Sequence, residues 1–351
     1  MTLKFDINEY LSWYIPRAMA GDDAINLHSS GVPMVLPSEL DIDDIVGNPF
    51  ETPARLEHAL AAWLGIEPKE IVFTPGGTGG TLLALLTLAR PGGNIVVEKP
   101  IYEPMLRQAA ALGEIRRMER RFENSWKLPL EDARRLIDDN TSVVMITEPH
   151  NPSSVLSPRN DIEEMARVAA EHGAILLINE VYGQFCEAPS CHGLAKNVVV
   201  VSSLSKLAGA YWARVGWLSS TKELSARFKT AHMNMGMPAA PAAQAGLAFL
   251  KDIDRFRARA IELSAGGLKE VREMVANTPS LSWHEPDAAG FSCIQLPARI
   301  DDLEFANRLH KDHGVLVVPG GCFEAPGTLR LSWIQAGDRL SEGLAKFIKA
   351  M

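Results

Sequence analysis

Cysteine is scarce in this chain. Four occur in 351 residues, at Cys186, Cys191, Cys293 and Cys322, too few and too scattered for a disulfide framework. Unpaired thiols fit a reducing compartment, so a cytoplasmic location is the expectation. Cys186 and Cys191-His192 lack a second close pair to complete a ligand set, and no metal is expected. Long apolar runs are also missing, and the amino-terminal residues show no charged-then-apolar leader, so no membrane partner is expected. Nor is there an excess of basic charge: 35 Lys and Arg against 43 Asp and Glu give a net charge of −8. That argues against nucleic acid as the main partner, though not against a local basic pocket. Repeats, low-complexity segments and long charge runs are absent.

What is present is an ordinary globular composition, 46% hydrophobic and 22% charged, in a chain long enough for one large domain and a smaller lobe. Residues 1–40 read as irregular, with Ser29–Pro33 the clearest loop. Thr52–Leu64 has helical apolar spacing and ends at Gly65. Strands at Glu70–Thr74, Asn94–Glu98, Thr141–Thr147, Ala174–Tyr182 and Val198–Val201 alternate with helices at Thr81–Arg90 and Asp161–His172. The pattern predicts an α/β fold, a mainly parallel sheet with helices on both faces. After Pro241 it changes to one long helical stretch, Ala242 to about Val275, then short strands and helices at Asp302–Asp312 and Leu340–Ala350. That predicts a smaller α+β domain, giving 41–240 as the large domain and 1–40 with 241–351 as the small one.

The residues with chemical potential gather at strand ends. Val198-Val-Val-Val-Ser-Ser-Leu-Ser-Lys206 reads as a strand buried on both faces, delivering Lys206 to the carboxyl edge where open α/β sheets place ligands. Taken alone, this stretch favours a solvated lysine ending a strand. Strand, Pro75-Gly-Gly-Thr-Gly-Gly80, helix is a geometry that binds phosphate through free N–H groups and the helix dipole. It fits neither the dinucleotide fingerprint nor the nucleotide P-loop, which requires a lysine. Tyr102 follows another strand, as a packing aromatic or a platform for a flat ligand. Asn151 lies between two prolines in Glu148-Pro-His-Asn-Pro152, while His150 has no partner in view. Gly31 beside Pro33 permits close backbone approach. Trp13, Tyr14 and Trp212 are pocket or core aromatics. Arg330 alternates with apolar residues in Leu329–Trp333, and on a strand it reads first as a surface residue.

Together, and in order along essentially the whole chain, these stretches resemble the fold-type I pyridoxal-phosphate-dependent enzymes, specifically the class I/II aminotransferases. The most specific part is Ser203-Leu-Ser-Lys206, with Arg214 eight residues on and then Gly216. The resemblance implies pyridoxal 5'-phosphate as cofactor, carried on Lys206 as an internal aldimine. It implies that Ser203, Arg214, Gly77 and Thr78 hold the phosphate and Tyr102 stacks on the ring. Asn151 and Tyr182 would bond the phenolic oxygen. Arg330 would grip the substrate α-carboxylate, with Asn151 nearby and Gly31 in a loop closing over it. The implied partners are an α-amino acid, a 2-oxo acid and a second copy of the chain in a homodimer.

Three positions depart from the family. Asn179 stands where the family has an aspartate whose charge keeps the pyridine nitrogen protonated, and Glu180 points to the opposite strand face. Gly47 occupies the place of a tyrosine that reaches the partner's phosphate, with Asn48 or Phe50 as stand-ins. Ser154 replaces a glycine. Aminotransfer is the leading expectation. The alternatives are a non-transaminating reaction on the same cofactor (lyase, Cβ/Cγ replacement, cyclase, decarboxylase or racemase), a slow aminotransferase, Asn179 as an introduced substitution, or a cofactor-binding protein without turnover.

Overall fold

In the computed structural model, which describes residues 4–19, 23–42, 47–236 and 239–351, the valine run lies inside the larger sheet. Val198 and Val200 face one hydrophobic core, Val199 and Val201 another, since successive strand residues point to opposite sides. After β1 (Ile25–Asn26), the larger sheet is built from β2 (Ile71–Pro75), β3 (Asn94–Lys99), β4 (Glu114–Glu119), β5 (Thr141–Thr147), β6 (Ile175–Asn179), β7 (Val198–Ser203) and β8 (Val215–Ser219). Their spatial order is β2-β8-β7-β6-β5-β3-β4. β8 runs antiparallel to both neighbours and the other pairs are parallel. The carboxyl ends of β2, β3, β5, β6 and β7 therefore open on one edge.

The helices before the change of pattern are α1 (Glu9–Met19), α2 (Glu51–Leu64), α3 (Gly76–Leu88), α4 (Glu103–Ala110), α5 (Leu130–Leu136), α6 (Arg159–Glu171), α7 (Leu204–Leu207) and α8 (Lys222–Met235). Then follow α9 (Ala240–Lys251), α10 (Ile253–Gly266), α11 (Leu268–Ala276), α12 (Asp302–His313) and α13 (Leu340–Ala350). A small antiparallel sheet joins β9 (Ser282–Trp283), β10 (Phe291–Gln295), β12 (Val318–Pro319) and β13 (Thr328–Ser332) in the order β12-β13-β10-β9. β11 (Val315–Leu316) pairs with β1.

Several boundaries differ from the sequence expectation. Residues 9–19 are helical rather than irregular, although Pro16 removes one amide donor from the helix. The glycine-rich stretch is not a free loop: α3 begins at Gly76, and a Cβ on Gly80 would lie 2.8 Å from Val201 Cγ2, so that glycine serves close helix–sheet packing. The helical stretch after Pro241 breaks into α9, α10 and α11. At the second break, a Cβ on Gly267 would sit 2.6 Å from Trp333 Cδ1. β4 escapes notice because Glu-Ile-Arg-Arg-Met-Glu has no apolar alternation; it is an edge strand with Met118 its one buried residue. Helices α9 and α10 bury Ala243, Phe249, Phe256 and Ala260 in the same core as Leu56, Leu60 and Trp217. A second core gathers Ile25, Leu27, Val271, Phe305 and Phe347. Helices α9 and α10 thus pack in the first core and α11 in the second.

Ser154 ties the loop after β5 to the segment before β10. Its φ is +61°, a left-handed conformation that favours glycine. Its hydroxyl donates to the Ala288 carbonyl, and its own carbonyl accepts from Asp287 and Ala288 N–H at 3.1 and 3.3 Å. Ser154→Ala keeps the strain and loses the hydroxyl bond, so it is expected to cost about 1–2 kcal/mol. Ser154→Gly relieves about 1 kcal/mol of strain and should cost less. Urea midpoints of the two variants test the order; a glycine variant less stable than the alanine one contradicts it.

Candidate active site

One cavity of about 230 Å³ lies at the carboxyl edge of the sheet. Lys206, Ser203, Gly77, Thr78, Arg214, Tyr102, Asn151, Asn179, Tyr182 and Arg330 all line it. Ten of the eleven residues singled out from sequence thus share one space. Gly31 stands just behind it, packed on the lysine: a Cβ there would fall 3.0 Å from both Lys206 Cα and Cδ. The next residue's N–H, that of Val32, donates to the Lys206 carbonyl at 3.1 Å.

The anion corner follows from backbone geometry. Gly77 and Thr78 lie in the first turn of α3, where amides have no intrahelical acceptor. Ser203 is the extended residue preceding α7, and Ser205, which sequence reasoning passed over, lines the same corner. Arg214 lies against Gly76, where a Cβ would be 2.6 Å from Nη2. Gly216 lets the two backbones meet, since a Cβ there would be 2.7 Å from Gly76 Cα. Among the described residues Arg214 has no carboxylate partner.

Lys206 sits in the short α7, its ammonium 5.7 Å from the Tyr211 ring centroid and without a hydrogen-bond acceptor among the described residues. Burial, with the field of Arg330 and Arg214 adding to it and that of Tyr14 opposing it, brings its amine down to about 8. Arg330 is fully buried. Its Nη1 donates to Asn151 Oδ1 at 3.2 Å and its Nη2 to the His28 carbonyl at 3.0 Å, while Nε has no partner. Its guanidinium lies 4.8 Å from the Phe323 ring rather than beside an acid. Tyr182 shares a 2.8 Å hydrogen bond with Ser30. Thr147 Oγ1, at the end of β5, is buried without a partner.

Three other sequence candidates have structural work. His150 shares a 2.7 Å hydrogen bond with Ser153 Oγ, and its Nε2 donates to the Pro100 carbonyl at 3.2 Å; burial holds it neutral, well below its usual range. Trp13 and Trp212 turn to Asn307 and the Val35 carbonyl and stay outside the cavity, whereas Tyr14 lines it. Tyr10, Leu11 and Tyr211 also line it and carried no sequence signal. All five tyrosines of the chain (Tyr10, Tyr14, Tyr102, Tyr182 and Tyr211) meet here.

The charge balance is lopsided. In a chain of net charge −8, the cavity is lined by Lys206, Arg214 and Arg330 and by no aspartate or glutamate among the described residues. Arg214 packs against Gly76 while Arg330 is held by Asn151 and the His28 carbonyl, so the cavity offers two separately anchored guanidiniums and an amine, which match a ligand bearing both a phosphate and a carboxylate. Arg330 Nε is left without a hydrogen-bond partner among the described residues, and with this donor set the residues fit pyridoxal phosphate with an amino acid attached.

Comparison with known proteins agrees. The family model for aminotransferase class I and II matches residues 47–340. The arginine–pyruvate transaminase of Pseudomonas aeruginosa is 26% identical over 303 residues, 81% of this chain and 75% of its own. A PLP-dependent aminotransferase from Streptococcus suis superposes with a TM-score of 0.87 at 24% identity, covering 100% of this chain and 98% of that one. A PLP-dependent cyclase superposes with a TM-score of 0.83 at 20% identity over 99% and 98% of the two chains, so the fold alone does not select the reaction. The chain belongs to the class I and II aminotransferases, fold-type I enzymes that use pyridoxal 5'-phosphate.

Proposed function

We propose that this protein moves an amino group from an α-amino acid to a 2-oxo acid, with Lys206 as the residue that carries both cofactor and proton. The observation that carries the reading is the cavity's three cations with no carboxylate beside them among the described residues. Bound pyridoxal phosphate supplies an electron-withdrawing ring that weakens the Cα–H bond of an attached amino acid. Everything else is asked of the chain. With its amine near 8, Lys206 is neutral in about a tenth of molecules at pH 7, enough to act as nucleophile and base. Gly77, Thr78, Ser203 and Arg214 would hold the phosphate, Tyr102 would flank the ring, and Tyr182 and Asn151 would bond its phenolic oxygen. Arg330 offers a planar fork to the α-carboxylate, aimed by Asn151.

Incubation with paired amino acids and 2-oxo acids tests this, with products identified by mass. Amino exchange supports it; consumption of the amino acid without exchange favours the elimination or cyclisation alternatives, for which the neutral Asn179 is the motivating residue. Arg330→Lys keeps the charge and loses the fork, so KM for the amino acid should rise about 20-fold, with kcat changed less. An unaltered KM contradicts the assignment of Arg330.

We further propose a cytoplasmic homodimer. In its support, Phe50 and Met233, 77% and 66% exposed, flank one groove floored by Phe73. Of the two stand-ins for the family tyrosine, Asn48 spends its side-chain oxygen on the N–H groups of Phe50 and Glu51 at 2.9 and 3.0 Å, which leaves Phe50 facing out.

A further inference from the structure

Helix α1 presents Tyr10, Leu11 and Tyr14 to the cavity. At 11 residues, with Pro16 inside and Ile15 and Met19 exposed, α1 is too short to hold its place by helix propensity. Its position is set by what grips it. At its start, the carboxylate of Glu103 accepts from the N–H of Glu9 at 3.1 Å and from that of Tyr10, first-turn amides with no acceptor inside the helix. Glu103 opens α4, directly after Tyr102, and is itself fixed by Arg107 at 2.7 Å. At the other end, Trp13 Nε1 and Arg17 Nη2 donate to Asn307 Oδ1 at 3.1 and 2.9 Å. The helix is clamped between the larger unit and α12 of the smaller one.

We propose that Glu103 is the positioning residue for the substrate side-chain subsite formed by Tyr10, Leu11 and Tyr14, and that this subsite selects large uncharged side chains. The inference rests on the amino-transfer reading and concerns only which amino acid is taken. The subsite is a wall of rings. Tyr10 stacks on Tyr14 at 5.2 Å and meets Tyr102 and Phe323 at 5.6 and 5.5 Å. Among the described residues no carboxylate lines the cavity to receive a basic side chain, and Arg330 would be taken by the α-carboxylate. Flat or branched apolar groups are what remains complementary. Glu103 touches no substrate and acts through the helix it caps.

The test compares kcat/KM for phenylalanine and alanine in the holoenzyme and in Glu103→Gln, whose amide keeps one acceptor and sets an NH2 against a backbone donor. The phenylalanine-to-alanine ratio should fall about tenfold, through KM rather than kcat, because a displaced ring wall removes binding used equally in ground and transition states. Alanine turnover and the cofactor absorbance should stay as in the parent. Asn307→Ala loosens the other end of α1 and serves as the second variant where Glu103→Gln fails to fold. An unchanged ratio in the variants overturns the proposal. So does a parent that prefers aspartate, glutamate or arginine to phenylalanine and leucine, which leaves the amino-transfer reading intact. A parent that exchanges amino groups with no amino acid overturns that reading instead.

Discussion

Lys206→Ala is expected to lower amino transfer by about four orders of magnitude or more, the combined loss of a covalent anchor and of a general acid–base group. Cofactor should still enter, since Arg214, Ser203 and the first turn of α3 are untouched, but nothing should hold it covalently. Borohydride reduction of the parent should leave a phosphopyridoxyl group (the cofactor less one water plus two hydrogens) on the peptide containing Lys206, and reduction of the variant should leave none. The same group found on another lysine would overturn the assignment. The amine's low value also has a stability consequence in the cofactor-free protein. Burial brings Lys206 to about 8 from its usual 10.5, so between those values the unfolded chain binds more protons than the folded one. Stability should therefore rise with pH across that window, with the penalty complete below 8. The alanine variant should lack this rise.

How much of this was legible beforehand varies with the physics of each part. Strands such as Thr141–Thr147 and Val198–Ser203 are buried on both faces, so their apolar runs are unbroken and their positions visible in the sequence. The residues at their ends become recognisable once a motif links them, as Ser203 and Lys206 link with Arg214. The wall contributed by α1 was not legible. Pro16 argues against a helix there, and the helix is held by Glu103 and Asn307, which lie 94 and 290 or more residues away along the chain. No local pattern records such contacts. The edge strand β4 was hidden for the opposite reason: its solvated charges give it no period. The glycines of Pro75–Gly80 were read as one phosphate cradle, yet Gly76 makes room for Arg214 and Gly80 for Val201. Composition shows the glycines but not which neighbour each accommodates.

Asn179→Asp should raise Cα–H exchange of a bound amino acid about a hundredfold, and at least tenfold. Asn179 is buried at the end of β6, its Oδ1 accepting from the Val181 N–H at 3.1 Å and its Nδ2 directed at Met105 Sδ at 3.3 Å. A sulfur is a weak acceptor, so little holds that amino group in place and little is lost by removing it. Three nearby acids do not supply the missing charge, and the first, Glu98, is paired with Arg120 Nε at 2.7 Å. Glu180 turns away and accepts from Ser190 Oγ and Cys191 N–H, both at 2.7 Å, and Glu148 accepts from the Ser157 N–H at 2.7 Å and is raised by burial to about 7. The cavity end of β6 is therefore neutral, and a pyridine nitrogen placed there has no counter-charge to keep its proton. A carboxylate at this position keeps the Val181 bond and adds that charge; a gain of about two pKa units at the nitrogen is worth about 2.7 kcal/mol, or a hundredfold if it is expressed fully at the barrier. Exchange of deuterium into the amino acid from solvent measures the effect without requiring a complete transfer cycle, and an unchanged rate would sink the claim that Asn179 limits the chemistry. The product profile carries the second half of the test. If the substitution speeds exchange and amino transfer together, the native residue merely slows an aminotransferase. If exchange rises while another product gives way to amino transfer, the neutral amide is what directs the native enzyme to that other reaction, and the same cation-lined cavity serves both.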